Sequence, residues 1–406
     1  MIRKSCLWLS YAILTCILIG CNGGSGSSSG SGANSFNPPL ESGMISVAVS
    51  PPGICSAKGN DNIPCVSVTI CNPNTATPSV ANCNTVPNVL LDTGSFGLRI
   101  FKQFTTNLNL TDISDGGGTL AECVNYGAGP SNWGPVVMAD VVLAADATAT
   151  NIPIQIIDSS FSGSSSVGCK NPATSPSDFG ENGVLGVGPI VYDDGLYYSC
   201  NGNSCTSVSV PNNLMVINPI AALSSSNYNN GLTLKFPAVG TNGASGMTTD
   251  AIFGIGTNMD NQVISGVNVY PSFSSGDLPI DMPVKFNGSD LMGFLDTGSN
   301  YFFFDDSSIP KCNNINTSFY CPNSPMTLLP ENQAESKIYI ATSLDVANAN
   351  QVFSTGNTAF SNIGDSLGGL LAGQFDYGLP FFFGKTVYIG FDGKSSSLDT
   401  GPYWAF

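Results

Sequence analysis

One tetrapeptide occurs twice in this chain of 406 residues, and it constrains the fold more than any other feature. Asp92-Thr93-Gly94-Ser95 sits inside the apolar stretch from Asn88 to Phe101, and Asp296-Thr297-Gly298-Ser299 sits inside the stretch from Leu291 to Phe304. Each Asp ends an apolar run, enters a glycine turn, and is followed at once by more apolar residues. A carboxylate at the end of a buried strand is expensive to desolvate unless something uses it. The copies are 296 − 92 = 204 residues apart. That spacing predicts two related lobes, each supplying one carboxylate to a shared site.

The rest of the chain points to an all-β, or mostly β, protein with short helices. Short apolar runs such as Pro135 to Leu143 alternate with clusters of Gly, Asn, Ser and Pro, and no long stretch after the N-terminus has helical periodicity. Charged residues make up only 10% of the chain, with 28 acidic against 12 basic side chains and a net charge of −16. Such a surface lacks the cations that displace counterions from nucleic acid, so no nucleic-acid partner is expected. Few cations also means little self-repulsion in acid. The chain has no histidine. That excludes Ser-His-Asp and Cys-His mechanisms and removes the commonest zinc ligand. No metal and no cofactor is implied.

The first residues read as an export signal. Arg3 and Lys4 precede a mostly apolar segment from Leu7 to Ile19, too short for a comfortable membrane span. Gly20-Cys21 resembles the cleavage site of bacterial lipoproteins, in which the Cys becomes the lipidated first residue. Residues 1–20 are therefore expected to be a signal peptide and 21–40 a lipid-anchored Gly/Ser-rich tether, with Asn22 favouring an outer-membrane destination. Residues 41–222 and 223–406 are expected to be the two lobes, one tetrapeptide in each. Of the 13 cysteines, ten remain beyond Cys6, Cys16 and Cys21. An even number in an exported chain implies disulfides. Cys200–Cys205 and Cys312–Cys321 are the natural local loops, and the other pairings stay open.

Beyond the two tetrapeptides, the segment from Cys123 to Gly129, containing Tyr126-Gly127-Ala128-Gly129, looks like a flap hairpin. Trp133-Gly134 and Val136 to Val142 look like its return, Ile152 to Ile157 like the next strand, and Asn182 to Gly188 like the apolar-Gly strand that threads behind a catalytic loop. In this order these segments resemble the pepsin-like aspartic proteases, and the double motif also resembles that of a group of bacterial lipoproteins. The resemblance covers most of the chain from Ile45 onward. It implies a bilobal fold with a cleft between two lobes related by a pseudo-twofold axis. The crossing strand of the second lobe is sought in Gly368 to Gly373 or in Leu379 to Gly384. Leu379-Pro380 stands where the family carries Leu-Gly-Asp.

The chemistry follows from the carboxylates. Two carboxyl groups a few ångströms apart cannot both ionise easily, so they share a proton and their apparent pKa values split; pepsin-type dyads are the standard example of that split. One can then take a proton from water while the other donates to a peptide carbonyl. The resemblance implies Asp92 and Asp296 as the catalytic pair. It implies Thr93, Gly94, Ser95, Thr297, Gly298 and Ser299 as their supports, and Tyr126, Gly127 and Gly129 as a mobile cover over the substrate. The expected activity is that of a membrane-tethered aspartic endopeptidase, monomeric because both carboxylates come from one chain, acting on proteins or peptides. The alternative is an envelope lipoprotein that binds a peptide or glycan in such a cleft without cleaving it.

Overall fold

The computed structural model describes residues 35–49, 55, 60–126, 129–169, 171–193, 195–273, 280–313, 318–366 and 373–406, which fall in one compact unit. The signal, Cys21 and most of the tether lie outside the described residues, as do Gly127 and Gly368 to Leu371.

The architecture is almost entirely β and is built around a duplicated unit. In the first copy, the strand Cys83–Asp92 leads into the Asp-Thr-Gly-Ser turn and Phe96–Phe101 leads out of it. The strand Gly183–Val187 runs between them, parallel to the first and antiparallel to the second. In the second copy, Ser289–Phe294 leads in, Phe302–Phe303 leads out, and Gln374–Asp376 runs between them with the same two polarities. The crossing strand of the second copy is thus neither of the two expected segments. It lies between them, because the apolar run from Leu379 turns into a short 3₁₀ helix, Leu379–Phe382, whose four residues are all buried.

The first copy belongs to a sixteen-stranded sheet and the second to a seven-stranded one. Strands at the centre of the larger sheet are apolar on both faces. Val68, Ile70, Val89, Leu91, Leu98, Ile100 and Leu185 are all sealed from solvent. Such strands read as continuous β-branched and Leu runs rather than as alternating ones. The sheet also joins sequence-distant segments: Met44–Val49 pairs with Met247–Phe253, and Gly231–Lys235 pairs with Thr386–Gly390.

Five disulfides tie the loops to this frame: Cys55–Cys65, Cys71–Cys83, Cys123–Cys169, Cys200–Cys205 and Cys312–Cys321. The two local loops read from the sequence are among them. Cys71–Cys83 closes the hairpin whose second strand ends at Asp92.

Candidate active site

Both tetrapeptides turn for the same local reason. After the apolar strand, the Asp side chain accepts from the backbone N–H two residues on, which stands in for a strand bond and bends the chain. Gly94 N–H donates to Asp92 Oδ1 at 2.8 Å, and Gly298 N–H donates to Asp296 Oδ1 at 2.7 Å. The outer oxygens are held by the next hydroxyls: Ser95 Oγ donates to Asp92 Oδ2 at 2.5 Å, and Ser299 Oγ to Asp296 Oδ2 at 2.7 Å.

The threonines lock the two turns together. Thr93 Oγ1 donates to Leu295 O at 2.8 Å and accepts from Thr297 N–H at 2.9 Å. Thr297 Oγ1 donates to Leu91 O at 2.6 Å and accepts from Thr93 N–H at 3.1 Å. Both residues are wholly buried. Each hydroxyl therefore satisfies one carbonyl and one N–H of the opposite turn.

The glycines permit the approach. A carbon added at Gly94 would sit 2.6 Å from Asp296 Cγ, and one added at Gly298 would sit 2.7 Å from Asp92 Oδ1 and 3.1 Å from Asp296 Oδ1. No side chain fits there, and the inner oxygens of the two carboxyls flank a single point. Two carboxyls this close ionise together only at a cost, so a single proton shared between them is the favoured state. Burial and then the neighbouring Asp296 hold the Asp92 carboxyl well above the ordinary carboxylate range.

The hairpin of Thr119–Val124 and Asn132–Ala144 carries Tyr126 at its tip, with Val124 paired to Asn132. Gly129 N–H closes the tip onto Tyr126 O at 2.7 Å. The Tyr126 ring packs edge-on against Phe179 at 5.6 Å, and its hydroxyl is shielded with no hydrogen-bond partner among the described residues. Burial pushes that hydroxyl's pKa up, Arg99 opposes the shift, and Asp92 adds to it. Trp133 is core: it is sealed, packs tilted against Phe161 and edge-on against Tyr198, and donates to Phe161 O at 3.0 Å. Phe302 and Phe304 are core as well.

Residues 40–406 match the family described as Protein of unknown function (DUF3443). The chain belongs to this family. The sequence matches no curated protein. Among solved structures, the aspartic proteinase from Irpex lacteus is similar, with a TM-score of 0.47 and 16% identity over 89% of this chain and 96% of that one.

Two features of this DUF3443 chain escaped the sequence reading. The first is a buried ion cluster behind the hairpin. Arg99 Nη2 reaches Glu122 Oε1 at 2.7 Å and also pairs with Asp193, and all three side chains are buried. Tyr197 Oη donates to Asp193 Oδ1 at 2.8 Å. Burial, opposed by Arg99, leaves the Glu122 carboxyl well above its usual range. Glu122 lies on the hairpin's first strand and Arg99 on the strand leaving Asp92, so the cluster ties hairpin to turn. A lone Arg inside the apolar run Leu98 to Phe101 was the available signal.

The second is Asp376, which is 2% exposed. Its Oδ1 accepts from Gly378 N–H at 2.9 Å, the same bond that shapes both tetrapeptides. Burial, then Asp296, raise its pKa well above the usual carboxylate range. Its trace in the sequence is an Asp-x-Gly, Asp376-Tyr377-Gly378, a spacing that Asp115, Asp193 and Asp399 also show, so it did not stand out.

Proposed function

We propose that this protein is an aspartic endopeptidase, held at the bacterial envelope by lipid on Cys21. One observation carries the reading: two carboxyls face each other across paired turns, each accepting two bonds from its own turn, while four threonine bonds lock the turns together. A role limited to stability does not need this arrangement. Replacing a buried charged pair with apolar side chains is often neutral or stabilising.

In the reaction, a water between Asp92 and Asp296 loses a proton to the ionised carboxyl as its oxygen attacks the peptide carbonyl carbon. The protonated carboxyl hydrogen-bonds and then protonates the carbonyl oxygen. The tetrahedral diol collapses as the amide nitrogen takes a proton from the dyad, releasing amine and acid. The cross-bonded threonines keep the carboxyls in register, and pre-organisation of this kind lowers the barrier without reorganisation in the transition state. Tyr126 on the hairpin tip covers the site, and the Arg99 cluster holds the hairpin's base. An extended substrate with apolar side chains near the cut fits a β-rich site.

The test is cleavage of a denatured protein and a diverse peptide library from about pH 3 to 7, with and without pepstatin, beside Asp92→Asn and Asp296→Asn. Either substitution is expected to lower the rate by about 10²-fold or more while leaving the protein folded. Full activity in either variant refutes the mechanism. A folded wild type that cleaves nothing but retains peptide or glycan favours the binding alternative. Lipid attachment is checked by metabolic labelling with a fatty acid, which Cys21→Ser is expected to abolish.

A further inference from the structure

The two turns that carry the dyad are not braced alike. The first runs straight into its outgoing strand, which lies against the crossing strand from Phe96 to Ile100. The second is followed by Asn300 and Tyr301, which belong to no strand. Among the described residues, Phe302–Phe303 meets the crossing strand only at Phe303, opposite Asp376. By sheet pairing alone, the outgoing side of the second turn is the looser one.

A residue from the larger sheet holds it instead. Asn62 lies between Met44–Val49 and Pro64–Cys71, two strands of that sheet, in the loop closed by Cys55–Cys65. It is 1% exposed. Its Oδ1 accepts from Phe360 N–H at 2.7 Å, and its Nδ2 donates to Phe360 O at 2.9 Å and to Asn300 O at 2.7 Å. Both amide hydrogens and the amide oxygen are thus used. Its backbone N–H donates to Thr358 O at 2.8 Å. Asn300 answers with its own amide, which donates to Asp61 O. Farther along, Ile363 O accepts from Phe302 N–H at 3.1 Å. Asn62 therefore holds both the residue after the second tetrapeptide and the segment that backs the strand beyond it. Its backbone is left-handed, with φ 55°, which Asn tolerates better than most side chains. The first copy does this differently: the place of Asn300 is taken by Phe96, 300 − 204 = 96, whose ring is buried in the core.

We propose that Asn62 is a positioning residue of the dyad: from the larger sheet it clasps the outgoing side of the second turn, so that Asp296 stays opposite Asp92. The assignment rests on the proteolytic reading for its catalytic meaning and deepens it. A reacting pair has to be held within about 0.5 Å of its working geometry. The bonds of Thr93 and Thr297 fix the turns to each other at the tetrapeptides. One point of attachment leaves a turn free to pivot about it. Asn62 gives the second turn a further attachment at Asn300, and the Asp296 carboxyl swings only if that attachment breaks.

The experiment uses the full-length protein in detergent, labelled with ¹³C at the Asp carboxyls, as wild type, Asn62→Gly, Asn62→Asp, Asn300→Ala and Asn357→Ala. Glycine keeps the left-handed backbone and the bond to Thr358 O but removes the clasp. In peptide cleavage, Asn62→Gly is expected to lower kcat at least about tenfold with KM within about twofold, the pattern of a loss at the reacting pair rather than in substrate binding. Asn62→Asp adds a pH signature. As a neutral acid it still accepts from Phe360 N–H and donates to one carbonyl. Ionised, it faces Asn300 O and Phe360 O with nothing to donate. Asp61 precedes it in the chain and Asp296 lies beyond Asn300, so both oppose its ionisation, and burial keeps Tyr301 neutral. Its kcat relative to wild type is expected to hold within about threefold in acid and to fall at least about tenfold as rising pH ionises it. Asn300→Ala loses only the bond to Asp61 O and is expected to lower kcat about threefold. Asn357→Ala cuts a bond to Asn242 O in the segment leading to Phe360 and is expected to leave kcat unchanged.

In the carboxyl titration, Asn62→Gly is expected to narrow the gap between the two dyad pKa values by about one pH unit, because the carboxyls move apart. A wild-type kcat in Asn62→Gly, or an equal loss in Asn357→Ala, overturns the proposal. Should Asn62→Gly not fold, wild-type kcat across pH in both Asn62→Asp and Asn300→Ala overturns it. If the wild type cleaves nothing, the titration still reads the clasp: a narrowed gap keeps the clasp while proteolysis falls, and an unchanged gap overturns the clasp. Dyad-dependent cleavage untouched by Asn62→Gly leaves proteolysis standing without the clasp.

Discussion

Thr297→Val tests the reasoning about the paired turns most directly. Valine has nearly the shape of threonine, so the fully buried site stays filled and only the hydroxyl is lost. Two backbone groups lose a partner: Leu91 C=O, which accepted at 2.6 Å, and Thr93 N–H, which donated at 3.1 Å. A buried polar group stripped of its partner costs about 1–3 kcal/mol. Two such groups, partly relieved by movement of the turn, give a loss of about 2–4 kcal/mol. The assay is urea unfolding at fixed pH, read as a change in midpoint at constant m-value. Thr93→Val removes the bonds to Leu295 O and Thr297 N–H and is expected to cost a similar amount. Because both hydroxyls fix the same two turns, the double variant is expected to lose less than the two single losses combined, with a coupling of about 1 kcal/mol. Activity is expected to fall more steeply than stability, since a displacement near 1 Å at a reacting pair costs about 10²-fold. A loss below about 0.5 kcal/mol in Thr297→Val, within the range of an ordinary surface substitution, refutes the argument that these hydroxyls hold the turns together.

Arg99→Met is expected to destabilise the protein by about 3–5 kcal/mol at neutral pH, because Glu122 and Asp193 stay buried without their cation. The loss should shrink in acid as the carboxyls take up protons, and an equal loss at acidic and neutral pH counts against the ion cluster. Stability itself is expected to peak in acid. Asp92, Glu122 and Asp376 all have raised pKa values, and Asp61 rises from 3.8 to about 6 through burial. Such groups hold protons better folded than unfolded, so their contribution is complete below the ordinary carboxylate pKa and is lost as pH rises through the folded value. Asp61 is only partly buried, so its share is screened to about 1 kcal/mol, and Asp61→Asn is expected to flatten the decline between about pH 4 and 6 by that amount. Asp158, paired with Lys102, is shifted the other way and works against this trend. Thermal unfolding across pH checks the sign.

The sequence alone determined what depends on neighbours along the chain. Each Asp-Thr-Gly-Ser is a turn because Asp accepts from the N–H two residues on, whatever the rest of the fold does. The strands Cys83–Asp92, Asn132–Ala144 and Gly183–Val187 are legible as apolar β runs. The loops Cys200–Cys205 and Cys312–Cys321 close because their ends are close in sequence. Tertiary structure decided what depends on pairing across long separations. Cys123 meets Cys169 only through the folding of the hairpin. Arg99 is tolerable inside a strand only because Glu122 and Asp193 arrive from 23 and 94 residues away. The second crossing strand shows the same limit. Gln374–Asp376 is three residues long and less apolar than the segment after it, so no local pattern favours it over Leu379 to Gly384. It is chosen because only there can one strand pair with Ser289–Phe294 and Phe302–Phe303 while the phenylalanines that follow go into the core. That choice sets Gly378 against the backbone of Ser299, and Asp376, unremarkable in the sequence, is buried beside the second turn.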